Sequence, residues 1–213
     1  MEHTVSGVGV LDKSMAVLNA VAADKVTLAE LVEATGLSRA TTHRLAVALE
    51  AHGLLRRTRD GRFALGLHLL ALGRSSTEQF PLAERAQGAM EHLREVTGES
   101  VQLYVVDGDE RVCVAALESP HGLRTIVPVG AALALDVGSA GHVLTGEVPA
   151  GRWAESMEER ERGVASVSAP VLGDDGSVAA ALSVSGPVDR MGPSPGERHG
   201  AAVLAAAAEV TAG

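Results

Sequence analysis

The sequence predicts an α+β protein: a small helical head ending in a basic hairpin, a linker helix, and an α/β body whose sheet is mostly antiparallel. Three observations predict it. Up to about His52 the apolar residues recur at helical spacings, whereas after residue 100 they form short runs of Val, Ala and Leu separated by Gly/Asp turns. The charge is divided: residues 1–74 carry nine Lys/Arg against seven Asp/Glu, net +2, and residues 75–213 carry nine against twenty, net −11. Between the two patterns lies a polar stretch, Ser75-Ser76-Thr77.

The head reads in order. Val10, Leu11, Met15, Leu18 and Val21 predict a helix from Val10 to Ala23. Thr27-Leu28-Ala29-Glu30 is a capping box opening a second helix, which stops at Gly36, a residue suited to a left-handed C-cap. Ser38 caps a third helix, Arg39 to about His52, with Leu45, Ala48 and Leu49 inward. Leu54–Thr58 and Arg62–Leu65 read as strands flanking Asp60-Gly61, a type I′ hairpin signal. Gly66 to Gly73 is apolar and helical, which gives a head over 1–65, a linker helix over 66–79 and a body over 80–213.

In the body, a helix is expected from Leu82 to Val96, stopped by Gly98. Val101–Val106 and Arg111–Leu117 form a hairpin about Asp107-Gly108-Asp109. Leu123–Val129 reads as a further strand, Ala140–Leu144 as a short helix, and Val164–Leu172 with Ser177–Ser185 as a second hairpin about Gly173–Gly176. Ala201–Val210 closes the chain as a helix of little bulk that packs closely on the sheet.

Composition removes several functions. With 213 residues, 46% apolar and 21% charged, the chain suits one large folded domain or two ordinary ones. Aromatics are 2%, so Ala, Val and Leu must build the core, and a single-strand nucleic-acid platform of stacking rings is disfavoured. No apolar run of 18 residues exists, and Met1–Val5 lacks the basic and apolar regions of a signal peptide. The lone Cys113 permits no intrachain disulfide, reads as a core residue and fits a reducing cytoplasm.

The net charge of −9 argues against general affinity for nucleic acid, but its distribution allows a defined site. Six Arg (39, 44, 56, 57, 59, 62) lie within 38–62 against only Glu50 and Asp60. Helix, tight turn, helix and basic hairpin is the pattern of a winged helix-turn-helix. Ser38, Arg39, Thr41, Thr42, His43 and Arg44 sit where a recognition helix enters the major groove of double-stranded DNA. Arg57, Arg59 and Arg62 of the wing suit phosphate or minor-groove contact. The bland alternative is a solvated surface, or a wing used for protein contacts.

Residues 7–74 resemble the N-terminal domain of the IclR family of bacterial transcriptional regulators. The resemblance is carried by Gly9–Lys13, Leu28–Leu31, Thr35–Leu45 and Gly61–Gly66. It continues through Val96–Ser100, Gly163–Val171 and Leu182–Pro187, which resemble the family's effector-binding domain, a GAF-like layer of sheet and helices. The resemblance implies a homodimer, in some members doubled to a tetramer, that binds a pseudo-palindromic operator and answers to a small-molecule effector. Val8–Lys13 and Gly122–Gly130 further resemble a branch in high-GC bacteria associated with amino-acid control, notably of leucine biosynthesis genes. A cytoplasmic repressor is the function this implies.

Ser166 with Ser168, and Ser183 with Ser185, share one face of adjacent apolar strands, as an effector pocket would need. The family's ligand-contacting positions map onto Leu123, Thr125, Ser139, Ala140, Gly141, Ser166, Ser183 and Ser185. The free amides of the Gly-Ser-Ala-Gly turn would offer a place for a carboxylate. Two departures stand out. His142 replaces the family's usual Lys, and the stretch from His142 to Gly163 is several helical turns short. Either a two-helix segment is deleted or part of the natural chain is absent from the sequence, and Trp153 is the bulky residue available to cover the gap. The effector site would then be open or degenerate.

Enzyme motifs are missing: no G-x-S-x-G, no G-x-x-x-x-G-K-[ST], no H-E-x-x-H. No catalytic residue, cofactor or metal is therefore expected, and the acidic group Glu155, Glu158, Glu159 and Glu161 reads as a solvated face.

Overall fold

The structure is a computed structural model that describes residues 6–149 and 151–212. The chain forms two compact units, residues 1–79 and 80–213.

In the first unit, α1 (Gly9–Ala23), α2 (Leu28–Thr35) and α3 (Arg39–Ala51) are followed by β1 (Leu55–Arg57), β2 (Phe63–Leu65) and α4 (His68–Glu78). The helices start where side chains supply missing acceptors. The Glu30 amide donates to Thr27 Oγ1 at 3.3 Å and the Thr27 amide donates to Glu30 Oε2 at 2.6 Å, which completes the capping box. Gly36 takes φ 65° and its amide donates to the Val32 carbonyl, turning the chain sharply into α3. The core gathers Val17 and Val21 of α1, Leu31 of α2, Leu45, Ala46 and Leu49 of α3, and Leu55 and Phe63 of the hairpin. Val26 and Phe63 exchange both backbone hydrogen bonds, which fastens the hairpin to the α1–α2 connection.

The hairpin turn differs from the type I′ expectation. Gly61 has φ 81°, but among the described residues Asp60 does not take a positive φ, as type I′ requires at both central positions. Instead the Gly61 amide donates to the Thr58 carbonyl and the Thr58 amide to the Arg62 carbonyl. This is a three-residue loop with Gly61 in the left-handed position, and the Thr58 hydroxyl, bonded to Asp60 at 2.5 Å, holds it.

The second unit is α5 (Pro81–Thr97), β3 (Ser100–Asp107), β4 (Glu110–Leu117), β5 (Ala132–Ala134), α6 (Gly138–Leu144), β6 (Ala154–Met157), β7 (Val164–Leu172), β8 (Val178–Pro187), α7 (Val188–Met191) and α8 (Pro195–Ala212). Six strands pair antiparallel in the order β5-β4-β3-β8-β7-β6. Strand alternation splits the sheet chemically. Val101, Leu103, Ala165, Val167, Ala169, Leu182 and Val184 meet Met90 and Leu93 of α5 and Val203, Ala206 and Ala207 of α8. That core contains no aromatic ring among its buried members, so small residues on α8 bring helix and sheet close together. The opposite face carries Tyr104, Cys113 and Ala181 under α6, together with the buried Ser168, Ser183 and Ser185.

Leu123–Val129 is not a strand. Cys113 still pairs with the chain at Gly130 and Ala131, but Pro128 has no amide to continue the ladder and the Thr125 carbonyl is taken by the Ser100 hydroxyl at 2.7 Å. Trp153 does not cover the shortened segment either. Its ring lies against Gly196 and Gly200 of α8, where a Cβ would come within 2.6 Å and 2.4 Å of it, on the face away from α6. Among the described residues no helix is long and apolar enough to cross a membrane.

Candidate functional site

The first turns of α3 divide by helical period. Ser38 caps the helix: its Oγ accepts from the Thr41 amide at 3.3 Å and its hydroxyl donates to Thr41 Oγ1 at 3.0 Å. Arg39, His43 and Arg44 are exposed, Thr41 is half-buried, and Arg39 and Arg44 form no ion pair among the described residues. Thr42 departs from expectation. It is fully buried and its hydroxyl donates to the Ser38 carbonyl at 3.0 Å, so it faces the core with Leu45 and Ala46 and does not reach a ligand.

The wing divides too. Arg57 stacks over Phe63 and lies 3.4 Å from Glu50, and Arg62 donates to the Lys25 carbonyl at 3.0 Å and to Glu30 at 3.2 Å. These two guanidinium groups hold the hairpin to the helices. The hydrogen bonds from Thr27, with the charge of Arg62, keep the Glu30 carboxyl below the usual carboxylate range. Arg56 and Arg59 are exposed and form no ion pair among the described residues. Arg56 belongs to the basic run in the sequence, and what sets it apart from its equally exposed neighbour Arg57 is that it has neither an ion pair nor a ring contact among the described residues.

In the body, Ser139, Ala140, Ser166, Ser183 and Ser185 do come together, around a cavity of about 30 Å³ beneath α6. The serines are bonded to one another. Ser139 Oγ is 2.7 Å from Ser166 Oγ and 2.7 Å from Ser168 Oγ, the Ser168 hydroxyl donates to Ser183 Oγ at 2.9 Å, and the Ser185 hydroxyl donates to Gln102 Oε1 at 2.9 Å. A hydroxyl has one proton to donate. Since Ser168 gives its proton to Ser183, Ser139 must donate to Ser168 and Ser166 to Ser139, which leaves the Ser183 proton free at the end of the chain.

Three expected residues lie elsewhere. Leu123 and Thr125 line a neighbouring concavity of about 560 Å³ with Ile126, Arg162 and Val188, sharing only Glu161 and Val164 with the serine cavity. Chain reversal at Ser119–Gly122 and the Ser100–Thr125 bond carry them there. Gly141 is a packing residue: a Cβ on it would meet the Leu135 carbonyl oxygen at 2.4 Å. Nor is the first amide of α6 free, because Gly138 donates to Glu159 Oε2 at 2.9 Å.

His142 bonds Glu147 through Nδ1 at 2.9 Å and Glu159 through Nε2 at 3.0 Å. Burial alone would lower its pKa, but the two carboxylates outweigh burial and raise it. The acidic group is dispersed: Glu155 accepts from the Gly196 amide, Glu158 from the Gly163 amide, and Glu161 pairs with Arg160. Among the described residues no cluster of three or more metal-ligating side chains exists.

The sequence reading missed Arg111, Tyr104 and Ser156, which line the same cavity. For Arg111 there was a signal. It shares strand parity with the buried Cys113, a charged residue at an inward position.

A winged helix-turn-helix head with unpaired arginines on its third helix, followed by an α/β body, is the architecture of a DNA-binding regulator. Residues 10–59 match the IclR helix-turn-helix domain, and residues 74–150 and 147–212 match the C-terminal domain of the bacterial transcriptional regulator IclR. The chain belongs to the IclR family, and it is a DNA-binding transcriptional regulator of that type. It is 32% identical over 138 residues to the HTH-type transcriptional regulator KipR of Bacillus subtilis, a stretch that is 64% of this chain and 55% of that protein. It is 24% identical over 224 residues to the transcriptional repressor IclR of Escherichia coli, covering 87% of this chain and 82% of that one. A solved IclR homologue from Microbacterium hydrocarbonoxydans, complexed with 4-hydroxybenzoate, superposes with a TM-score of 0.80 at 20% identity over 95% of this chain and 98% of that chain.

The C-terminal match falls in two pieces that meet at 147–150. The alignment to the Escherichia coli repressor runs over 224 positions while taking in 87% of the 213 residues, so more than thirty positions face gaps in this chain. The two pieces of that match meet within the connection between α6 and β6.

Proposed function

We propose that the protein is a homodimeric repressor that sets two α3 helices into successive major grooves of a pseudo-palindromic operator, about one helical turn apart. Arg39, His43 and Arg44 read base edges, Ser38 and Thr41 approach the backbone, and Arg59 with Arg56 grips phosphate from the wing. The observation that carries this reading is the exposure of Arg39 and Arg44, free of ion pairs among the described residues, on an otherwise acidic protein. Arg39, Arg44, Arg56 and Arg59, exposed and without ion pairs among the described residues, attract a duplex, while the net −11 of residues 75–213 repels stray polyanion.

The body acts as the effector domain, with the serine cavity as its ligand site. A ligand that favours one pairing of the bodies over another shifts the spacing of the heads through the linker helix, and so shifts operator affinity. The repressor role is supported by the kinship with the Escherichia coli repressor. The assignment of target genes to amino-acid biosynthesis, leucine among them, is supported by the resemblance at Val8–Lys13 and Gly122–Gly130. A cavity of about 30 Å³ favours a reduced effector site over a roomy one.

The test is fluorescence anisotropy with duplexes from the region upstream of the protein's own gene, followed by genome-wide footprinting in the host. Specific binding that weakens steeply with salt supports the reading. Indifference to every such duplex at low ionic strength would overturn it.

A further inference from the structure

Val47 stands on the outward face of α3 and takes no part in the head core. Thr42, Leu45, Ala46 and Leu49 are the buried residues of that helix. At about 100° per residue, the positions opposite that buried arc are Ala40, Val47 and Ala51, with Arg39 and His43 along one flank and Arg44 along the other. All of these are exposed, and Val47, the bulkiest of the central three, is 43% exposed. Nothing in the stability of the head favours valine there. Val is a poorer helix former than the Ala at 40, 48 and 51, and its side chain gains little burial.

The chemistry of this face is one-sided. Residues 38–52 contain no Asn, Gln or Asp, and the one carboxylate, Glu50, lies 3.4 Å from Arg57. Asn and Gln are the side chains that read adenine bidentately, and a free carboxylate reads the amino group of cytosine. Arg39 and Arg44 are donors suited to the O6 and N7 acceptors of guanine. An A·T pair therefore offers this helix one feature to match, the thymine C5-methyl, which is read by apolar contact. Val47 is the apolar group that projects furthest from the middle of the face. It lies three residues after Arg44, a rise of about 4.5 Å along the helix. That is little more than the roughly 3.4 Å step between base pairs, so the two side chains meet neighbouring pairs.

We propose that Val47 is a specificity-determining residue, packing on the C5-methyl of a thymine beside a guanine read by Arg44. The proposal rests on reading α3 as the helix that enters the major groove.

The test begins with duplexes that the full-length protein selects from a random-sequence pool. A recovered duplex is resynthesised with each thymine singly replaced by uracil, which removes only the methyl group. In anisotropy titrations, one such replacement in a half-site should weaken the wild-type protein about fourfold, the effect of withdrawing one buried methyl group. Val47→Ala, which raises helix propensity, should bind the thymine and uracil duplexes equally. In a repeated selection Val47→Ala should lose the thymine and keep the guanine beside it, and Arg44→Ala should lose the guanine and keep the thymine. If no uracil replacement weakens binding, if the thymine-to-uracil ratio survives in Val47→Ala, or if the guanine survives in Arg44→Ala, the proposal is overturned while α3 can still be the reading helix. The underlying reading fails separately. If the pool yields no preferred duplex, or if an Arg39→Ala, Arg44→Ala double variant binds the recovered duplex as tightly as the wild type, α3 does not enter the groove and both fall.

Discussion

The guanidinium carbon of Arg57 lies 4.2 Å from the centre of the Phe63 ring, directly across the wing from it in the β1–β2 register. With Glu50 at 3.4 Å, Arg57 ties the hairpin to α3, whereas Arg59 at the loop forms no ion pair among the described residues. The two arginines should therefore separate in effect. Arg57→Ala removes a cation–π contact and a surface ion pair, together about 1 kcal/mol of stability, read as a lower thermal midpoint of the head. Arg59→Ala should leave the midpoint nearly unchanged and reduce the salt slope of operator binding by about one. Equal midpoints in the two variants would sink the division between a structural and a binding arginine.

Arg44 and Thr42 lie two residues apart on α3 and point to opposite sides. Arg44→Ala should weaken specific operator binding by about 1–3 kcal/mol if the side chain reads a base edge. Thr42→Val keeps the shape and loses the hydrogen bond to the Ser38 carbonyl, which costs about 1 kcal/mol of stability while operator affinity per folded molecule stays the same. Anisotropy titrations of both variants on one duplex give the contrast, and a loss of affinity in Thr42→Val would return that residue to the interface.

Ser168 is completely buried between Ser139 and Ser183 and was not among the expected ligand contacts. Its role is to fix the direction of the hydroxyl chain. Ser168→Ala removes the donor to Ser183 and one of the two hydroxyl partners of Ser139, at a cost of about 1–3 kcal/mol in the stability of the body. Urea unfolding followed by circular dichroism checks it. Ser183→Ala with Ser185→Ala should instead blunt any effector response and preserve basal operator binding; loss of both properties together would make those serines plain core residues.

The parts of the fold legible in the sequence are those fixed by local chemistry. The Thr27–Glu30 capping box, the Ser38 cap, Gly36 and Gly98 set helix ends through neighbours three or four residues away, and they lie where the sequence places them. What was illegible depended on distant partners. Whether Thr42 faces in or out follows from the tilt of α3 against Val17 and Leu31, which helical period alone leaves undetermined within one residue. Leu123–Val129 has strand composition, but Pro128 carries no amide and the Thr125 carbonyl is taken by the Ser100 hydroxyl, so the ladder along β4 stops at the Gly130–Ala131 pairing. The serine face was readable because alternation in β7 and β8 is strict. Arg111 was legible only as a charged residue sharing strand parity with Cys113; what surrounds it arises once Ala134, Val137 and Gly138 fold against it.

His142 and His199 should make the stability of the body depend on pH in opposite senses. Hydrogen bonds to Glu147 and Glu159 raise the His142 pKa above its ordinary 6.5 despite burial. Its contribution is fully present below pH 6.5, where the ring is charged in both folded and unfolded chains, and is lost as pH rises through the higher folded value. His199 is 6% exposed, with Nε2 buried and unpartnered; burial, then the charge of Arg198, lowers its pKa. Its contribution is present above pH 6.5 and is lost as pH falls through the lower folded value. Thermal midpoints of the body should therefore decline on both sides of neutrality. His142→Gln should flatten the alkaline limb and leave the acid limb, and His199→Gln should flatten the acid limb and leave the alkaline one. Should His142→Gln keep the alkaline decline intact, the Glu147–His142–Glu159 bridge does not hold the shortened connection to α6, and that segment owes its position to the backbone bonds of Thr145, Gly146 and Glu147 alone.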